Sequence, residues 1–192
     1  MLTITYSIGM LSKEQQNARR ILAGLEQSLH AEPWIDQNGI SLPWLETVFK
    51  RLMKVNRYCH ERKVELYLMP TVHKVSCDDA SMFTRLDSIN TNSTRILRYA
   101  CDQAQRILTG QEAGAEQLVT AIELYCEQLH ERFSLEEKEL LPAAYRLLST
   151  EEWFQIAAQC LLAPVARRKG TRQACYYGIP RRGQGDRPRY AH

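Results

Sequence analysis

Apolar positions recur at helical spacing along most of this chain, and four long segments each carry one apolar face. The first runs from about Ser12 to His30, with Ala18, Ile21, Leu22, Leu25 and Leu29 in one stripe. Ser12 followed by Gln15 has the form of a capping box at its start. A breaker stretch follows from Ala31 to Gly39, containing Pro33 and Asn38-Gly39. The second segment opens at Ser41, tolerates Pro43 in its first turn and runs to about Met69, before Pro70. Its expected inward face is Leu45, Val48, Phe49, Leu52, Asn56, His60, Val64 and Tyr67. The third extends from near Asp79 to before Gly110 and turns Phe83, Leu86, Ile89, Asn90, Ser93, Ile96, Leu97, Ala100, Ala104 and Ile107 inward. The fourth starts near Ala115 and presents Leu118, Ile122, Tyr125, Leu129, Arg132, Glu136, Leu140 and Ala144. A shorter fifth helix is announced by Ser149 and Glu152, a second capping box, ahead of Trp153, Phe154, Ile156 and Ala157.

Long one-faced helices joined by modest loops predict an all-α, up-down four-helix bundle with a short fifth helix. Only Leu2 to Ile8 alternates like a strand. With nothing to pair with, it is expected to be an extended arm across the bundle. The predicted organisation is an arm at 1–10, a helical bundle at 11–163 and a tail at 164–192.

Composition changes this picture at one end only. Hydrophobic residues make up 44% and charged residues 24%, which are ordinary globular values. Eight of the 25 lysines and arginines lie between Arg167 and His192, against Asp186 alone among the 22 acids. The formal charge of +3 therefore divides into a tail of about +7 and a body of about −4. The tail, rich in glycine and proline and without apolar period, reads as a flexible basic extension. Arg167, Arg168, Lys169, Arg172, Arg181 and Arg182 are its candidate partner-binding residues, for nucleic acid or an acidic protein face, with a solvated tail as the other reading. No apolar run approaches the ~18 residues of a membrane span, and the N-terminus lacks the basic-then-apolar form of a signal peptide. The six cysteines are widely spaced without a Cys-x-x-Cys, which argues against a zinc module and a disulfide-dense secreted fold. A cytoplasmic protein without a membrane partner is the expectation.

The candidate chemistry lies where the stripes turn polar at matching depths. His60 with Asn56, Asn90 with Ser93, and Arg132 with Glu136 interrupt the second, third and fourth helices. Arg132 and Glu136, spaced i and i+4, share one helical face. Bundle cores are common places for metals and cofactors, and unpaired charge there is costly. Either these residues form a site, or the long stems of Arg132 and Glu136 carry their charges out at the stripe's margin. No nucleophile–base arrangement, phosphate loop or catalytically spaced carboxylate pair is visible, so no enzyme activity is expected.

The stretch from Tyr125 to Pro142, Tyr-Cys-Glu-Gln-Leu-His-Glu-Arg-Phe-Ser-Leu-Glu-Glu-Lys-Glu-Leu-Leu-Pro, and the later Ser149-Thr-Glu-Glu-Trp153 resemble the last helix of hemerythrin-like (HHE) proteins. Tyr58 to Pro70 resembles their second helix, which carries His-x-x-x-Glu before Phe-Pro, and Asn17 to Glu26 resembles their first. The resemblance implies a bundle that holds two irons between histidines and carboxylates. It also implies that most ligands are lost here. Ala18 stands for the first-helix His, Val64 for the Glu after His60, Asn90 for the third-helix His and Arg132 for the fourth-helix His. Only His60 and Glu136 remain as vestigial ligand positions, so no metal is expected. His60, Asn90, Arg132 and Glu136 are instead expected to form a core polar network.

Leu129 to Lys138, Tyr58 to Tyr67 and Arg85 to Ile89 also resemble segments of the Rsd and AlgQ family, metal-free helical regulators that bind a housekeeping sigma factor. Together the resemblances imply a protein-binding regulatory module without a cofactor, in its most concrete version a regulator of transcription through a sigma factor. The alternative is a residual iron-binding sensor of oxygen, nitric oxide or redox state.

Overall fold

The computed structural model describes residues 2–31, 35–36, 39–76, 80–110 and 114–166. They are almost wholly helical. The helices are α1 (Leu2–His30), α2 (Leu42–His60), α3 (Met69–Val75), α4 (Ala80–Leu108), α5 (Ala115–Leu135), α6 (Leu141–Leu147) and α7 (Thr150–Ala166). Two π-helical segments, Val64–Leu68 and Glu136–Leu140, lead into α3 and α6. Two-residue strands, β1 (Ile35–Asp36) and β2 (Gly39–Ile40), pair antiparallel between α1 and α2. α1 packs on α2, α5 and α7, α4 packs along α5, and α3 meets α6. Among the described residues no helix is long and apolar enough to cross a membrane. The tail from 167 to 192, with all six of its candidate binding residues, lies outside the described residues.

Local sequence signals set several boundaries. The Ser41 hydroxyl accepts from the Trp44 amide at 3.5 Å and starts α2, with Pro43 in its first turn. Ser149 and Glu152 close a reciprocal box ahead of α7. The Glu152 carboxylate accepts from the Ser149 amide at 2.7 Å, and the Ser149 hydroxyl accepts from the Glu152 amide at 3.3 Å. Gly110, at φ 73°, takes the left-handed conformation that ends α4.

Two expectations need correction. Residues 2–10 are not an extended arm but the first turns of α1. Ser7 and Leu11 are buried at a spacing that continues through Gln15, Ala18 and Leu22, so this segment gains more as a helix than as an unpaired strand. Ser12 consequently sits inside a helix and caps nothing. The second long segment is also not one helix to Met69. α2 stops at His60, and the chain restarts as the π segment before α3.

Both π segments end two residues before a proline, Pro70 and Pro142. Proline cannot donate to the helical ladder, and its ring crowds the carbonyl four residues back. The wider turn relieves that crowding: the amides of Met69 and Leu141 reach back five residues, to the carbonyls of Val64 and Glu136.

The buried apolar residues fall into two clusters. One holds Leu22, Leu25, Leu52, Val55, Ala100, Leu118, Ile122 and Phe133. The other holds Leu11, Leu68, Val72, Leu86, Leu140, Trp153 and Ile156. Helices α1 and α4 and the α2–α3 and α5–α6 segments each cross from one cluster to the other at a polar residue. These are Gln15 on α1, Arg62 after α2, the Asn90–Ser93 turn of α4, and Arg132 with Glu136 on α5.

Candidate functional site: a buried arginine–carboxylate layer

Glu136 is the centre of that polar layer. It is the first residue after α5 proper, and its side chain is fully buried. Arg62 grips both of its carboxylate oxygens, Nη1 to Oε1 at 3.2 Å and Nη2 to Oε2 at 2.5 Å. This is the bidentate geometry that suits guanidinium to carboxylate. Arg132, one turn before Glu136, donates from Nε to Oε1 at 3.1 Å. The remaining nitrogens of Arg132 reach the Asn90 side-chain carbonyl and form an ion pair with Glu65. Two buried guanidiniums are thus neutralised by two carboxylates, with Asn90 as a neutral acceptor.

The two arginines differ electrostatically. Burial works against the charge on Arg62, but the attraction and hydrogen bonds of Glu136 outweigh it and raise its pKa. Burial lowers the pKa of Arg132, and the like charge of Arg62 adds to this against the attraction of Glu136. With two hydrogen bonds to the Glu136 carboxylate against one from Arg132, Arg62 is its principal partner. The Arg62 guanidinium also lies 4.8 Å from the centroid of the Phe133 ring, an additional favourable contact for a desolvated cation. Its Nε has no acceptor among the described residues.

Neighbouring side chains hold the layer in place. Gln15 donates to the Phe133 carbonyl at 2.8 Å and ties α1 to the end of α5. Glu14 accepts from the Lys63 and Val64 amides at 2.7 and 3.4 Å. It serves as a cap, supplied by another helix, for the chain restart after Arg62. Burial raises the Glu14 pKa, against these hydrogen bonds and the Arg62 charge. A raised carboxyl pKa means that folding favours the protonated form. The stability this adds is present below the ordinary carboxylate range and is lost as pH rises through the folded-state value. Glu14→Gln should remove that slope, which urea unfolding across pH and carboxyl NMR titration would detect. An unchanged slope would contradict the assignment.

Of the four residues expected to form the network, Asn90, Arg132 and Glu136 come together, and His60 does not. His60 is exposed at the rim, where desolvation of its sheltered side and the Arg132 charge lower its pKa. The physical reason is the end of α2. Arg62 and Val64 are both buried although only two residues apart, which an unbroken helix would place ~200° from each other. The break after His60 resets the phase, so Arg62 takes the inward position expected of His60. The sequence pattern leaves Arg62, Glu65 and Glu14 out of the network and gives Gln15 only a capping role. Pro70 signals the wide turn at Val64–Leu68 that carries Glu65, but not the break after His60 that turns Arg62 inward. Val64 and Ala18 are apolar core, His130 pairs with Glu26 at 2.7 Å, and His73 packs edge-on to Phe83.

The donor set does not suit the pair of irons that the hemerythrin-like resemblance implies. Both oxygens of Glu136 accept from guanidiniums, and a guanidinium offers no lone pair to a cation. Among the described residues, no three His, Cys, Asp or Glu side chains group so as to hold a metal ion. No protein-family model, no curated protein and no solved structure matches this chain.

Proposed function

We propose that this chain is a hemerythrin-like, up-down four-helix bundle with α2–α3 and α5–α6 each serving as one bent long helix. An arginine–carboxylate layer stands where that family places its irons. The protein acts without chemistry of its own, as a protein-binding regulatory module. Its most concrete form is an Rsd-like regulator that engages a sigma factor in the cytoplasm. The observation that carries the reading is the closure of Arg62 and Arg132 on Glu136, which supplies fixed positive charge at the depth where the resemblance implies a cation. Such a layer holds register between helices rather than offering an open coordination position.

The test has two arms. Purified chain is titrated against the isolated promoter-recognising domain of a bacterial housekeeping sigma factor, with saturable one-to-one binding expected. Absence of binding removes the sigma-factor version. In parallel, protein from iron-replete cells is analysed for metal, and far less than one iron per chain is expected. Arg132→His should not load iron either, because Arg62 still occupies both oxygens of Glu136. One iron or more per chain, lost on changing Glu136, would replace the regulator by the iron-binding sensor.

The basic tail is assigned to partner contact through nucleic acid or an acidic protein face. Deleting 167–192 removes about +7 charges and little apolar sequence. It should leave the melting temperature nearly unchanged while flattening the salt dependence of partner binding. A large loss of helicity on truncation would make the tail structural instead.

A further inference from the structure

Apart from the buried layer, the outer face of the α4–α5 hairpin carries a groove of about 550 Å³, with Arg95 and Tyr99 on one wall and Glu116 and Leu124 on the other. Tyr99 and Leu124 are large apolar side chains left 46% and 45% exposed. The two walls have opposite sign. The exposed charges on the last five turns of α4 are Arg95, Arg98 and Arg106 against Asp102 alone. Glu116, Glu127 and Glu131 are exposed on α5, Glu123 is half-buried, and the one arginine of that helix is turned into the core. Arg95, Arg106, Glu116 and Glu127 have no ion-pair partner among the described residues.

We propose that this face is a two-fold interface between two copies of the chain, with each α4 lying against the partner's α5. The contacts of Arg132 with Asn90 and of Arg85 with Glu139 fix the antiparallel register of the hairpin. Carried along both helices, that register puts Tyr99 level with Leu124, Arg106 with Glu116, and Arg95 with Glu127. A dyad parallel to the helix axes keeps each residue at its own height and exchanges the two walls. Tyr99 then meets the partner's Leu124 at the centre. Arg106 and Arg95 face the partner's Glu116 and Glu127 toward the two ends. A dyad across the helices would instead set the basic wall against itself. Charge therefore selects the first arrangement, and the contact is self-complementary as a two-fold interface requires.

Sedimentation equilibrium on the full chain tests this independently of the reading of the buried layer. One variant carries Arg95→Glu with Arg106→Glu, and a second carries Glu116→Arg with Glu127→Arg. Wild type should be dimeric, and each variant alone should show a dissociation constant raised roughly 100-fold. An equimolar mixture of the two should recover a one-to-one dimer, because every contact then again joins opposite charges. Circular dichroism checks that the variants are folded. Tyr99→Ser, which alters no charge, should weaken the dimer as well and serves if a reversal variant does not fold. A wild-type monomer overturns the proposal, including one that binds an amphipathic helical peptide in the groove. So does a dimer insensitive to these changes, or a mixture that stays monomeric.

Discussion

Glu136→Leu should be among the most destabilising single substitutions available in this protein, costing at least ~3 to 5 kcal/mol. The change leaves two guanidiniums, on Arg62 and Arg132, without their shared carboxylate in a layer where both arginines are almost fully buried. Neither has a short route to water. Arg62 side-chain exposure is 0% and that of Arg132 is 5%. Removing either arginine is less severe, because Glu136 keeps one partner. Arg62→Met, which deletes the bidentate grip, should cost more than Arg132→Met, which leaves that grip in place. The expected order of loss is thus Glu136→Leu, then Arg62→Met, then Arg132→Met. Urea unfolding with an unchanged slope would read this as successive falls in midpoint. Losses all below about 1 kcal/mol would mean that the pairs behave as solvent-exposed ones.

The position of this layer could be read from sequence farther than its composition could. Stripe interruptions at Asn90, Arg132 and Glu136 were visible because α4 and α5 hold a constant helical phase up to those residues. Likewise, Ser41 with Pro43 and Ser149 with Glu152 are local chemistry and set helix starts without help from the rest of the fold. The failures share one cause, which is phase. Reading one helix through to Met69 turned His60 inward and kept Arg62 out, whereas the break after His60 and the wide turn before Pro70 do the reverse. The role of Glu14, and that of Gln15 beyond the capping box it resembles, is not legible because their partners are backbone groups of other segments, the amides after Arg62 and the carbonyl of Phe133. No side-chain pattern records such a group. The alternation of Leu2 to Ile8 misled in a related way. Ile4 and Ile8 fit both periods over so short a span, and the continuation through Leu11 into Ala18 and Leu22 decides for helix.

The shared carboxylate also means that no two-residue exchange can empty the layer cleanly. Arg132→Met combined with Glu136→Leu still strands Arg62, which among the described residues has no other anion as a direct partner and an unpaired Nε. That double variant should therefore remain well below wild type. Adding Arg62→Met changes the outcome. The layer loses its three buried charges, keeping only neutral polar groups such as Gln15 and Asn90 between the clusters around Leu52 and Phe133 on one side and Leu68 and Leu140 on the other. Glu65, whose side chain is 18% exposed, loses Arg132 but can turn toward solvent. Replacing a buried ionic group by apolar residues of similar volume is often neutral or stabilising by ~1 to 4 kcal/mol. The triple variant should thus be at least as stable as wild type while each partial variant is weaker, a non-additivity that a full cycle over the three positions would measure. If the charged layer serves to fix helix register, stability and uniqueness should separate in this variant. It should unfold at higher urea yet show broader amide NMR signals around Asn90 and Gln15. A triple variant less stable than Glu136→Leu alone would show that the cost lies in packing volume rather than in stranded charge.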